Sequence, residues 1–190
     1  MLNQLIESAR STRSFKPDVI ISQKTLEELV DTARKAPAAM NLQPLKYKLV
    51  TSAEEKNAIM GITRWATSLS VKLPPDGHEP SAFIVICHDK DIAEERPIFM
   101  IDVGIVAEVM ILAAKERGLD CCLIGSATGD AIKNALSLPE NIAPKLILAL
   151  GVSDETAVLE NAKNGNVTYY RDKANTHHVP KRRLEDIIIK

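Results

Sequence analysis

The stretch Phe99–Arg117 (FMIDVGIVAEVMILAAKER) constrains the fold more than any other part of the chain. Ile101, Val103, Ile105, Val106, Val109, Met110, Leu112 and Ala113 leave little polar face, and Gly118 stands where a helix C-cap favours glycine. A helix apolar nearly all round does not lie on a wet surface. It is buried, either at the centre of the domain or against a second subunit. Only 4% of the residues are aromatic, so the core around it must be mostly Ile, Leu, Val, Ala and Met.

The rest of the chain supplies elements to surround that helix. Leu2, Leu5, Ile6 and Ala9 form the stripe of a short helix ending near Arg10. Ser22 caps a second helix, with stripe Leu26, Leu29, Val30, Ala33, which Pro37 closes. Leu45–Thr51 alternates apolar and charged residues, predicting a strand with one wet face. A weak helix over 53–64 precedes an irregular loop over 66–81, where Pro74-Pro75, Asp76-Gly77 and Pro80 break regular structure. Ala82–His88 is apolar throughout, as suits a strand covered on both faces. Cys121–Ile124 is a short buried strand, Thr128 caps a helix through Leu136, and Lys145–Val152 is a third apolar strand. Residues 153–180 read as polar and turn-rich. The terminal Leu184–Ile189 is too apolar to lie free in water. Helices and buried strands interleave around a central helix, so the expected class is α+β, or mixed α/β, in a single domain over 1–190 without repeats or linkers.

Charge and composition exclude several classes. Lysine and arginine number 24 against 25 acidic residues, a net −1 that leaves no basic excess for nucleic acid. The longest apolar runs, Ala82–Cys87 and Val109–Ala114, have six residues each, whereas a membrane helix needs about twenty. The N-terminal MLNQLIESAR lacks the pattern of a secretion signal. Three cysteines, Cys121 and Cys122 adjacent, make neither a disulfide framework nor a metal motif, so a reduced cytoplasm is expected and no metal site. The four histidines read as structural or rim residues.

Four short segments could carry chemistry. Arg10-Ser11-Thr12-Arg13-Ser14-Phe15 sets two guanidiniums three residues apart with hydroxyls between them, a compact anion site. The plainer reading is that Arg10 complements a helix dipole and Arg13 is solvated. Ala36-Pro37-Ala38-Ala39-Met40-Asn41-Leu42-Gln43-Pro44 combines small residues, which admit a flat ligand, with carboxamides that match a heterocycle edge; it also reads as an ordinary connection. Gly125-Ser126 follows a strand, where backbone N–H groups can face a ligand. Pro180-Lys181-Arg182-Arg183 sits beside the apolar terminus.

Taken together and in order, these segments resemble the nitroreductase family of FMN-dependent oxidoreductases. Ala9–Phe15 matches an R-x-S-x-R-x-F-like run. Pro37-Ala38-Ala39-Met40-Asn41-Leu42-Gln43-Pro44-Leu45 matches P-S-x-x-N-x-Q-P-W. Gly118-Leu119-Asp120-Cys121-Cys122-Leu123-Ile124-Gly125 matches G-L-x-x-x-x-I-G, and His178-Val179-Pro180-Lys181-Arg182-Arg183-Leu184 looks like H-x-P-K-x-R-x-L, with Leu184 one position early. The resemblance spans essentially the whole chain. Ala38 stands where the family often has serine and Leu45 where it has an aromatic, and no insert lengthens the centre, as in the short members.

The resemblance implies a central, mostly antiparallel sheet flanked by helices, a long helix at a dimer interface and an exchanged C-terminal arm. It implies FMN, its phosphate held by Arg10, Ser11, Arg13, Lys181 and Arg183, with Arg13 alternatively reaching the pyrimidine edge. Ala38, Ala39 and Asn41 would face the flavin ring from the partner subunit. Gly125 would offer its N–H to flavin N5, with Ile124 and Ser126 beside it and Arg64 and Trp65 as a further edge contact. The partners implied are NAD(P)H, a nitroaromatic, quinone or related acceptor, and a second copy of the chain. No catalytic side chain is expected, because the flavin performs the hydride chemistry. The alternatives are a flavin-binding protein without turnover, or specialised flavin or dehalogenation chemistry on the same fold.

Overall fold

The structure is a computed structural model that describes residues 2–67, 69, 71–127 and 129–189. In chain order its helices are α1 (Leu2–Ser8), α2 (Gln23–Ala33), α3 (Ala53–Ile62), α4 (Phe99–Glu116) and α5 (Asp130–Ala135). The strands are β1 (Leu45–Val50), β2 (Ala82–Asp89), β3 (Asp120–Ile124), β4 (Ile142–Gly151), β5 (Ala157–Asn161), β6 (Tyr170–Arg171) and β7 (His177–Lys181). Ser22 caps α2 by accepting from the Thr25 N–H at 3.1 Å, as its position predicts. Ser52 and Glu55 close a reciprocal cap at the start of α3. Thr128, predicted as the cap of α5, lies outside the described residues.

Strands β1, β2, β4 and β3 form one sheet in the order β1-β2-β4-β3, every neighbour antiparallel. Every residue of β2 is buried. Alternation along it feeds two cores. Ala82, Ile84 and Ile86 pack with Leu148, Leu150 and Cys121 beneath α2 and α4. Phe83, Val85 and Cys87 pack with Ile147, Ala149, Cys122 and Ile124 against Ile59 of α3, Ile132 of α5 and Phe15. The result is a helix–sheet–helix sandwich of aliphatic side chains, each of which contributes about 1.5–3 kcal/mol on burial. The antiparallel α+β architecture expected from the sequence is present.

Helix α4 is buried along half its girth. Val103, Val106, Ala107, Met110, Ala113 and Ala114 face the core. On the other side Ile101, Gly104 and Glu108 are exposed, and Ile105 and Leu112 are half-buried. Helix α1 buries none of its residues, and Leu184, Ile187, Ile188 and Ile189 of the C-terminus are exposed. Among the described residues, no helix is long and apolar enough to cross a membrane.

The reading of 153–180 as turn-rich is incomplete. That segment builds a second sheet, ordered β5-β7-β6, with β5 parallel and β6 antiparallel to β7. Charge hid it. Its strands carry two adjacent histidines, Glu160, Arg171, Lys181 and Pro180 in place of alternating apolar residues. A proline in a middle strand argues against a strand at all. It is tolerated here because β6 pairs only with His177 and His178, leaving Pro180 at a free edge on that side.

Candidate functional site

The segment after α1 reaches the site by joining the sheet. Thr12 donates its N–H to the Cys121 carbonyl at 2.9 Å, and Ser11 forms a parallel bridge with Cys121 on β3. Phe15, fully buried, lies over Gly151 at the end of β4, where a Cβ would come within 2.4 Å of the Phe15 ring. Glycine is required there by close approach. The extended backbone then alternates: Thr12 and Ser14 are buried, while Ser11 and Arg13 turn outward.

They turn into a cavity of about 420 Å³. Arg10, Ser11 and Arg13 line one wall, Glu108 and Ile111 of α4 a second, and Cys121 and Leu123 of β3 the floor. The far wall is Tyr169 with His177, Val179 and Lys181, three alternate residues of β7. Three permanent or near-permanent cations against one carboxylate make this a site for an anion. Arg10 donates to the Ile6 carbonyl at the end of α1, as the helix-dipole reading requires, yet its Nε is buried without a partner.

Behind the cavity a buried charge pair fixes the second sheet. Arg171 of β6 donates to Glu155, and Glu155 also accepts the Arg13 backbone N–H at 2.5 Å. The side chains of Arg171 and Glu155 are 11% and 3% exposed. The adjacent histidines of β7 then diverge. Burial, with Arg13, Arg171 and His178 nearby, holds His177 down to about 4, so it is neutral. Partial desolvation acts against the charged form of His178, but hydrogen bonds to Asp172 and Glu160 outweigh it and raise its pKa. The cysteines are inert thiols: burial pushes Cys87 up to about 12, Cys122 up to about 11, and Cys121 further still.

The structure brings Arg10, Ser11, Arg13 and Lys181 together. It does not bring Arg183 to them. Strand β7 ends at Lys181, a 3₁₀ turn begins at Leu184, and Arg183 turns away to pair with Glu185 at 3.3 Å and Asp186 at 3.4 Å. Ile124 points its side chain into the core under α3 and α5, opposite to Leu123, so only its backbone can face a ligand. Gly125 is exposed at the end of β3; its φ is not left-handed and a Cβ there would meet nothing. Ser126 is tied to Arg64, its Oγ accepting from the Arg64 N–H and donating to the Arg64 carbonyl, both at 2.9 Å. Trp65 is buried in the core, where its indole N–H donates to Thr63.

Ala38, Ala39 and Asn41 lie elsewhere. They form a 3₁₀ turn in which Met40, Asn41 and the following Gln43 all have φ near +50° (53°, 53° and 51°). Buried Asp102 of α4 holds this turn by accepting the Ala39 N–H at 2.9 Å. Asp102 and Ile111 are nine residues apart, which places the turn and the anion cavity about 13 Å apart along α4 and on roughly opposite faces. Within one chain they do not meet.

Residue-by-residue reading missed Tyr169, His177, Val179, Glu108, Cys121 and Leu123. The signal for His177 and Val179 was their two-residue spacing from Lys181, visible only once β7 is recognised as a strand.

Comparison with known proteins places the chain. The sequence profile described as "Nitroreductase family" matches residues 6–152. The FMN reductase (NADPH) of Bacillus subtilis strain 168 is 24% identical over 210 residues, covering 93% of this chain and 81% of that protein. The oxygen-insensitive NADPH nitroreductase of Helicobacter acinonychis strain Sheeba is 26% identical over 201 residues, covering 87% and 95%. A crystal structure of a nitroreductase family protein from Clostridium difficile 630 superposes with a TM-score of 0.65 at 27% identity, covering 80% of this chain and 84% of that one. The chain belongs to the nitroreductase family.

Proposed function

We propose that this protein is an FMN-dependent oxidoreductase that uses NAD(P)H to reduce nitroaromatic, quinone or related acceptors. The observation that carries the reading is the cavity holding Arg10, Ser11, Arg13 and Lys181, whose floor reaches Leu123, two residues before Gly125. The residues present fit the cofactor. A dianionic phosphate needs several charge-assisted donors, and the buried, unpartnered Nε of Arg10 is one in waiting. Nothing within the chain requires a glycine at position 125, and the space beside it suits the close approach of a flat ring. When bound, FMN would supply the hydride chemistry between the nicotinamide and the acceptor.

The chain's own residues bind and orient. Arg10, Ser11, Arg13 and Lys181 hold the phosphate, while Leu123 and the backbone of Ile124–Ser126 border the ring. The neutral thiols take no part.

The site is completed by a second copy of the chain. Exposed Ile101 and Gly104 with half-buried Ile105 and Leu112 form an apolar stripe of α4, and the α1 face, Met40, Leu42 and the Leu184–Ile189 arm are exposed as well. A two-fold dimer packing these together would bring the Ala38–Asn41 turn of one protomer to the anion cavity of the other. With three free buried thiols, the cytoplasm is the fitting compartment.

Anaerobic mixing tests the chemistry. NADH or NADPH should bleach the yellow flavin, acceptor should restore it, and initial rates should give the parallel double-reciprocal lines of a ping-pong reaction. Flavin that stays bound and is reduced by neither nucleotide would favour the non-turnover alternative. Complementation tests the shared site: mixed Arg13→Ala and Asn41→Ala chains should regain flavin binding that each lacks alone.

A further inference from the structure

The turn over residues 38–43 keeps a shape that its own sequence does not favour. Met40, Asn41 and Gln43 have φ of 53°, 53° and 51°, a left-handed conformation that residues with a Cβ seldom adopt. Such backbone persists only where neighbouring contacts over-determine it. Packing does not supply those contacts, since Met40 and Leu42 are 66% and 42% exposed. Hydrogen bonds do. The Ala38 and Ala39 carbonyls accept the Asn41 and Leu42 N–H groups at 3.0 and 3.1 Å, and the Gln43 amide donates to Oδ1 of Asn41 at 3.1 Å. At the exit, the Pro44 carbonyl accepts the Asp89 N–H at 2.8 Å, next to the β1–β2 ladder. At the entry, the hold is Asp102.

Asp102 is an expensive residue to bury. It is 3% exposed in the first turn of α4 and pairs with no lysine, arginine or histidine among the described residues. Arg34 lines the same small cavity, of about 130 Å³, but turns to Asp31 at 2.6 Å. Tyr47 lines it as well and stays neutral, its phenol pushed up to about 12 by burial and by the Asp102 charge. A buried carboxylate without a cation costs more than an apolar side chain of similar volume. The start of α4 offsets part of that cost, because the helix dipole favours negative charge there. The remaining partner is the Ala39 N–H, which both carboxylate oxygens accept, at 2.9 and 3.2 Å. A charge-assisted bond of this kind is about twice as strong as a neutral one. The carboxylate thus serves the turn rather than the core.

We propose that Asp102 is a positioning residue that acts across the dimer: by holding the Ala39 N–H it fixes the turn that one protomer lays against the flavin ring in the other protomer's cavity. This rests on the shared FMN site proposed above. Within one chain the turn and the anion cavity lie about 13 Å apart along α4 and on roughly opposite faces, and Asp102 does not line that cavity. Its influence therefore falls on the ring rather than the phosphate, and on the partner's site rather than its own.

Flavin titrations of full-length variants test it. Asp102→Leu removes the acceptor and fills the space with an apolar side chain. At saturating FMN it should unfold no lower than the native chain, yet bind FMN about tenfold more weakly. Riboflavin, which has the ring but no phosphate, should weaken by the same factor. Asp102→Asn keeps one acceptor oxygen and should recover most of the loss. Arg10→Ala should weaken FMN and leave riboflavin unchanged. A mixed dimer of one Asp102→Leu chain and one Arg10→Ala chain is the sharpest case. One of its two sites joins an intact cavity to an intact turn and should bind a single FMN at native affinity. Two weak sites in that dimer would place the action of Asp102 within its own chain and overturn the proposal. Native flavin affinity in Asp102→Leu, or a loss confined to FMN, overturns it too. Failure of the underlying reading looks different: Arg10→Ala would bind FMN natively, or the native chain would run as a monomer, and the role would fall with it.

Discussion

The two sheets of this protein are built on different physics. In β1-β2-β4-β3, cohesion comes from aliphatic burial on both faces, and β2 contributes no exposed residue. In β5-β7-β6, burial is partial and much of the cohesion is ionic: Glu155 with Arg171, and His178 between Glu160 and Asp172, stacked on Tyr170 at 4.5 Å. Hydrophobic burial is nearly indifferent to pH, whereas paired charges are not. The anion cavity lies between the two, its floor on the first sheet and its far wall on the second. One wall is therefore rigid by packing and the other is adjustable by protonation.

The largest expected effect strikes the first sheet. Phe83→Ala removes a fully buried aromatic near the start of β2 and should cost about 3–5 kcal/mol, read by denaturant unfolding of the whole protein. Glu155→Ala should cost about 3 kcal/mol by stranding Arg171, with the loss concentrated in β6 and β7. Hydrogen exchange separates the cases: protection should fall in the second sheet and persist in β2 and β4. Equal loss in both sheets would show that they unfold as one unit and would erase the contrast. Gly151→Ala, at the junction, forces Phe15 from its seat and should cost about 1–3 kcal/mol.

The subtlest effect is the pH profile of the second sheet. The raised pKa of His178 gives stability that is present below its unfolded value near 6.5 and lost as pH rises through the folded value. His177 acts oppositely. Its pKa is depressed to about 4, so its contribution is present above about 6.5 and is lost as pH falls toward 4. Protection of β6 and β7 should thus peak between the two limbs, and His178→Gln should flatten the alkaline one. A β2 profile with the same peak would count against the two-physics picture.

The same contrast explains what could be read in advance. Strand β2 and helix α4 are legible because double-sided burial writes an unbroken apolar run. The β5-β7-β6 sheet is held by side chains that on their own look solvated, so the pattern resembles a loop. Arg183, assigned through the resemblance alone, stands beyond the end of β7, so within one chain it does not share the face of Lys181. The left-handed turn at Met40, Asn41 and Gln43 has no glycine to announce it; Asp102, far away in sequence, holds it. The motif order carried the family, but the position of each residue depended on contacts that no local pattern records.

The burial of all three sulfurs has a consequence for durability. With acceptors of the proposed class, quinones themselves and partly reduced nitro compounds would be electrophiles held close to the protein, and a thiolate is the group they would attack first. Cys121 sits in the wall of the cavity itself, yet with Cys87 and Cys122 it is kept as an uncharged thiol under packed side chains. Packing thereby withholds from any electrophile in the cavity the nucleophile most able to react with it.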